Sequence, residues 1–434
     1  MNTPNDAELL PDRQQRRNSL VFLLTNSLTY LVAPVFYVGV LHAAILDSLK
    51  TNDTIANLPE AVYLWVTPAP VLVAWLWPSP RLMQPMLAAS LVFMGAAGFV
   101  VAMLFAVAPQ SWLMPAIVAH SAIIGICNGV RQMCSWELIG RGLSPQWRGW
   151  TLGWTFGLGP VFAVAGSCAS QLVLSGNFLD VIHTPAMPSP WNYVVLFGAT
   201  GPAMWLAAAV VGLTDVPPPP GSDGPARATD VLHGLRQFFL QPVIVIAALA
   251  FLLTYGGTTI INNLSLYTRE AIGESPERYA GLQLALRFGF KCLAGFALGW
   301  LVTRIHAKAS LLATTAICLG GVLWALVVPG KWYLLSFGFL GAGELFYVYY
   351  LNYIVECSPP QRIRENTAYT NLMTVTIGVM PLLFGMVSDS YGIRASFHVA
   401  GAIFVAVLLI VGLGLPRRPP AAIESEHSHP QANS

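Results

Sequence analysis

Two cations stand one helical turn apart in an apolar run: Arg287 and Lys291, in LQLALRFGFKCLAG (282–295). At i and i+4 they share a helix face, and Gln283 extends that face by a further turn. Like charges so placed need an anion, and the natural one is Glu344, in the run GAGELFYVYYLNYIVE (341–356). A carboxylate facing two cations can exchange one of them for a proton, which is chemistry for coupling rather than for bond breaking. The plainer alternative is a fixed ion pair tying two helices together. A second constellation lies in HSAIIGICNGVRQMCSWELIGRG (120–142), where His120, Asn128 and Arg131 fall close to one face. His120 can carry a proton near neutral pH, and it equally suits a packed, hydrogen-bonded position.

Neutral polar stripes accompany these charges. Asn26, Tyr30 and Tyr37 recur at heptad-like spacing, and Thr254, Thr258 and Asn262 follow at i, i+4 and i+8 with Tyr255 alongside. The pair Gly256-Gly257 makes that second stretch bendable. Tyr347, Tyr349, Tyr350, Asn352 and Tyr353 add hydroxyls and rings near Glu344. Aromatic rings mixed with hydroxyls and amides suit an amphiphilic organic solute. Trp65, Trp75, Trp77, Trp112, Trp191 and Trp332 fall near span ends and read as interfacial belts instead.

The elements that must position these residues follow from composition. Of 434 residues, 55% are hydrophobic and only 10% charged, against about 25% charged in an average soluble domain. Apolar runs recur that are long enough to cross a hydrocarbon core of about 30 Å. They predict twelve transmembrane helices near 19–46, 60–78, 83–108, 112–138, 150–175, 191–214, 241–266, 278–303, 309–328, 332–355, 365–388 and 395–415. The side holding both termini then receives fourteen of the 22 Lys and Arg. The other side receives Lys50, Arg269, Arg278, Lys331 and Arg394, while Arg131, Arg287 and Lys291 remain inside spans. The asymmetry puts both termini in the cytoplasm of an integral, multi-pass protein, with the plasma (inner) membrane as the expected location.

At 1.5 Å per residue Arg287 lies roughly 13 Å and Lys291 roughly 20 Å into the eighth span, too deep for either side chain to reach a headgroup. Each needs an anion, a water-filled cavity or both. The polar interruption DVPPPPGSDGPARATDVLHGLRQ (215–237) cannot continue a helix through its prolines, and its end DVLHGLRQFF reads as a short amphipathic helix at the membrane surface. The expected organisation is a cytoplasmic tail over 1–18, a six-helix bundle over 19–214, a cytoplasmic linker over 215–240, a second bundle over 241–415 and a disordered tail over 416–434. In that tail, His427 and His429 read as flexible polar residues, and no metal or cofactor is expected. The six cysteines form no CxxC pair and read as small packing residues.

The halves echo each other: SPQWRG (144–149) follows the fourth span and SPPQRIRE (358–365) the tenth. Such a parallel repeat places a cavity where two six-helix bundles meet. A six-plus-six chain with this linker resembles the major facilitator superfamily. Gly299-Trp-Leu-Val-Thr-Arg304 with Lys308 is similar to its G-x-L-x-D-R-x-x-x-[RK] loop between helices 8 and 9, with Thr303 in place of the acid. The stretch Gly385 to Arg394, with Asp389 and Gly392, is similar to the related pattern between helices 11 and 12, and SPQWRG to the P-x-x-R-G turn after helix 4. The first-half loop AWLWPSPRLM keeps Arg81 but lacks the family's Gly and Asp, and Ser121 stands where proton-driven members often carry arginine.

The resemblance implies two pseudo-symmetric six-helix bundles and secondary active transport by alternating access. The expected solute is a small organic anion or zwitterion, with protons as coupling ion. Substrate binding is expected at Arg287, Lys291, Gln283, Asn26, Tyr30, Tyr37, Asn128, Tyr255, Thr258, Asn262 and Tyr347. Proton coupling falls to Glu344 and His120, and gating to Arg131, Arg148, Arg304 and Asp389. One alternative is an efflux antiporter for amphiphilic compounds, which the cations of the eighth span disfavour for cationic drugs. Another is a non-transporting membrane sensor or assembly factor on the same scaffold. The expected partners are the solute and the lipid bilayer, in a monomer. A net charge of +2 gives no reason to expect nucleic acid. The sequence contains no P-loop, HExxH or GxSxG, so no enzyme is expected.

Overall fold

The computed structural model describes residues 10–70, 82–179, 181–216, 228–358 and 363–417. They are helical almost throughout, apart from one antiparallel pairing of Asn177–Phe178 with Ile182–His183. Among the described residues ten helical stretches are long and apolar enough to cross a membrane. They run Met83–Val107, Gln110–Ile139, Gln146–Ser175, Trp191–Val211, Pro242–Leu266, Pro276–Leu298, Ala307–Val327, Gly330–Cys357, Asn366–Tyr391 and Ile393–Gly414. Each matches a predicted span to within a few residues, because hydropathy and bilayer thickness set both.

The first predicted span is built in pieces, Asp12–Leu31, Ala33–Phe36 and Val40–Ser48. Pro34 removes a ladder donor, and Gly39 takes φ 146°, which few other residues adopt. The second begins at Leu58–Val66, and the rest of that predicted span, 71–78, lies outside the described residues. The chain is an all-α polytopic membrane protein.

Several spans are interrupted where hydropathy predicts continuity. The seventh breaks after Pro242–Thr258 and resumes at Ile261–Leu266, with Thr259 N bonded to Gly256 O at 3.2 Å in a tightened turn. The expected stripe of Thr254, Thr258 and Asn262 is therefore cut between its second and third members. The tenth breaks between Leu335–Gly343 and Phe346–Cys357. The eleventh passes through a 3-10 stretch at Met373–Gly378.

Packing divides the chain into two compact units. The first comprises Met1–Thr51, Leu58–Pro225 and Ser275–Ala285. Its last segment is held by Gln171, which donates to Arg278 O at 2.5 Å and accepts from Leu282 N at 2.8 Å. Gly125 allows close approach here, since a Cβ would stand 2.6 Å from Tyr63 O.

The second unit comprises Asn52–Asn57, Ala226–Glu274 and Leu286–Ser434. Its core gathers Phe238, Phe251, Phe346, Tyr350 and Tyr353. Tyr350 OH meets Thr254 and Thr315 at 3.4 and 3.3 Å, and Tyr353 OH donates to Pro416 O at 2.9 Å. These two tyrosines, candidates for a solute cavity in the sequence, instead fill the core, where each hydroxyl has a bonding partner. The amphipathic helix forms at Ala228–Phe239, and its Phe238 packs on Tyr369 with ring centroids 5.9 Å apart.

Candidate functional site

Glu344 occupies the break in the tenth span. Its N–H still bonds Leu340 O at 2.9 Å, but the next bonds narrow to i+3, with Tyr347 N reaching Glu344 O at 3.2 Å. Opposite runs the helix Ala280–Arg304, brought close by Gly341, where a Cβ would stand only 2.1 Å from Arg287 O. One residue turn beyond that contact, Arg287 Nε donates to Glu344 Oε1 at 2.5 Å, and its Nη2 pairs with the same oxygen. Lys291 Nζ donates to the other oxygen at 3.1 Å. The side chains retain 11%, 19% and 10% exposure for Arg287, Lys291 and Glu344, so the triad is largely buried without being sealed. It carries a net charge of +1 when all three groups are ionised.

Around it the sequence candidates diverge. Tyr347 OH donates to Asn371 Oδ1 at 3.3 Å, and its ring meets Tyr255 edge-on at 6.4 Å. Thr258 Oγ1 bonds Tyr255 O at 2.7 Å, and Asn262 donates to Asn57 Oδ1 at 3.1 Å, both within buried packing. Gln283 is fully buried on the helix of Arg287, but falls in the first unit.

The first unit holds a second polar cluster. Arg131 donates through Nε and Nη2 to Asn128 Oδ1, at 3.3 and 2.9 Å, and through Nη1 to Asn26 Oδ1 at 3.2 Å. Asn128 Nδ2 donates in turn to Tyr63 OH at 2.8 Å. Tyr30, Tyr37 and Tyr63 are the groups that bear electrostatically on Arg131. Thus Arg131, expected as a gate residue, joins Asn26 and Asn128, expected as solute ligands. Tyr63 was missed, because its span shows no polar stripe to mark it.

His120 pairs with a residue that sequence reasoning also missed. His42 Nε2 lies 3.3 Å from His120 Nδ1, with both rings buried. A histidine in each of two apolar runs was the available signal. Asp389, exposed at the end of Val379–Tyr391, accepts from Asp53 N at 2.9 Å and from Thr54 N and Oγ1 at 3.1 and 2.5 Å. Asp53 accepts in turn from Arg269 at 2.7 Å and from Ser388. Arg148 donates to Leu143 O at 3.3 Å in the turn before its own helix. Arg304 ends the helix Ala280–Arg304, and its side chain lies outside the described residues. Among the described residues no group of three His, Cys, Asp or Glu could hold a metal ion.

The family model of the Major Facilitator Superfamily matches residues 275–432. No curated protein sequence matches the chain. Among solved structures, it is similar to a bacterial homolog of the human lysosomal transporter Spinster, at TM-score 0.63 and 14% identity, covering 98% of this chain and 100% of that one. It is similar to the xylose transporter XylE from E. coli, at 0.65 and 14%, covering 93% and 98%. The nucleoside transporter NupG matches at 0.62 and 12%, covering 92% and 98%. The chain thus has the major facilitator superfamily fold along its length, with that family's own model recognisable over residues 275–432.

Proposed function

We propose that this protein is a secondary active transporter moving a small organic anion or zwitterion by alternating access, with proton coupling at Glu344. The observation that carries the reading is one carboxylate, at a helix break, shared between Arg287 and Lys291. Discontinuous helices near the midplane are a recurrent way of building solute and ion sites. A proton on Glu344 takes the triad from +1 to +2 and releases both cations to a solute anion. Proton and anion then bind cooperatively, each favouring the other by the same factor. Loss of the proton re-forms the ion pairs and expels the anion. The two cations disfavour a cationic amphiphile as cargo. Release of the Asp389 clasp on Asp53 and Thr54 is the step assigned to gating. Both termini are assigned to the cytoplasm of a plasma-membrane monomer.

The test is flux in liposomes containing the purified protein. An imposed pH gradient is expected to drive accumulation of an organic anion, and Glu344→Gln to abolish it. Gradient-driven uptake that is unchanged in Glu344→Gln sinks the coupling role, and anion binding without flux favours a sensor.

A further inference from the structure

Arg131 differs from the other cations placed at depth. Arg287 and Lys291 have Glu344, whereas the partners of Arg131 among the described residues are neutral amide oxygens. The Cα of Arg131 lies about 9 Å from the middle of its span at about 1.5 Å per residue, within the hydrocarbon depth. A cation there with no acidic hydrogen-bond partner among the described residues is costly and needs water or a counter-anion. Its three bonds use Nε and one N–H on each terminal nitrogen. A guanidinium has five N–H donors, so one on each terminal nitrogen is left over. Asn26 and Asn128 therefore orient the group without satisfying it. Arg131, Asn26, Asn128, Tyr30, Tyr37 and Tyr63 are all half-buried. A brace between helices would not need the spare fork.

We propose that Arg131, oriented by Asn26 and Asn128, is an anion-recognition site of the first unit for a carboxylate carried on an organic body, with Tyr30, Tyr37 and Tyr63 beside that body. The two spare N–H groups match a carboxylate's two oxygens, and tyrosine faces suit apolar or ring-bearing carbon. The site rests on the transport reading only for the class of its ligand. It needs no proton at Glu344.

The wild-type full-length protein in detergent tests it directly. Phenylglyoxal labels accessible guanidinium groups, and peptide mass spectrometry reads the label at Arg131. Arg131 is expected to be labelled, and benzoate or succinate to slow that labelling about tenfold, with inorganic phosphate, which has no organic body, slowing it less. Benzyl alcohol, neutral but of similar shape, is expected to leave it unchanged. Absence of labelling, or labelling indifferent to all three anions, overturns the site. Protection that disappears in an Arg287→Gln/Lys291→Gln variant, with Arg131 still reactive, assigns the anion elsewhere and also overturns it. Protection that persists there supports it, whatever the liposome flux assay shows about Glu344. Asn128→Ala keeps the guanidinium and is expected to weaken protection severalfold.

Discussion

His42 and His120 meet ring to ring in the first unit, with Nε2 3.3 Å from Nδ1 and ring centroids 5.4 Å apart. Phe36 and Phe197 enclose them, and the outward nitrogens, His42 Nδ1 and His120 Nε2, find no hydrogen-bond partner among the described residues. Changing one histidine to Phe strands the paired nitrogen of the other, a penalty of about 1–3 kcal/mol, offset in part because the replaced ring's own unpartnered nitrogen is removed. Changing both strands nothing. His42→Phe and His120→Phe are each expected to lower the melting temperature, and the double variant to recover part of the loss in a mutant cycle. Strict additivity would show that the pair does not act as a unit. Loss of gradient-driven uptake in a stable double variant would assign the pair a proton-carrying role.

Glu344 pairs with two cations at once, so its loss is expected to cost more than that of either partner. Glu344→Gln leaves both Arg287 and Lys291 without their acid, a destabilisation on the order of 3 kcal/mol for a broken buried pair. Lys291→Met leaves the Arg287 pairing intact and is expected to cost less. Thermal denaturation of both variants in one detergent checks the order.

Gly341 sets the distance between the two helices that carry the triad. Gly341→Ala forces a methyl group to within 2.1 Å of Arg287 O, where backbone must move. A loss of about 1–3 kcal/mol is expected from such overpacking. Gly289→Ala, on the Arg287 helix with no atom within 4 Å of the added group, is the control and is expected to be neutral. Equal melting temperatures for the two variants would contradict this helix approach.

Asp389 caps the amides of Asp53 and Thr54 with a charge-assisted interaction. Asp389→Ala leaves those amides without their acceptor, and their hydrogen exchange is expected to accelerate by about tenfold or more. Exchange unchanged at both amides would remove Asp389 from the clasp.

The amino-acid sequence by itself determined the spans, since apolar runs of bilayer length leave little freedom once every backbone group must bond within its own helix. It also determined that Arg287 and Lys291 need an anion at depth, because lipid cannot solvate them, and it made Glu344 the natural partner. Tertiary structure decided what hydropathy does not encode. The bond from Arg287 to Glu344 spans 57 residues and that from Arg131 to Asn26 spans 105, so their geometry depends on which helix faces touch. Glycine contacts such as Gly341 against Arg287 choose those faces. The break after Thr258 follows the bendable Gly256-Gly257 pair already present in the sequence, whereas the one at Glu344 lies beside the close contact of Gly341 with Arg287. Arg131 shows the difference most clearly. Its sequence position suggested a gate, and only its neighbours show that two asparagines orient it without neutralising its charge.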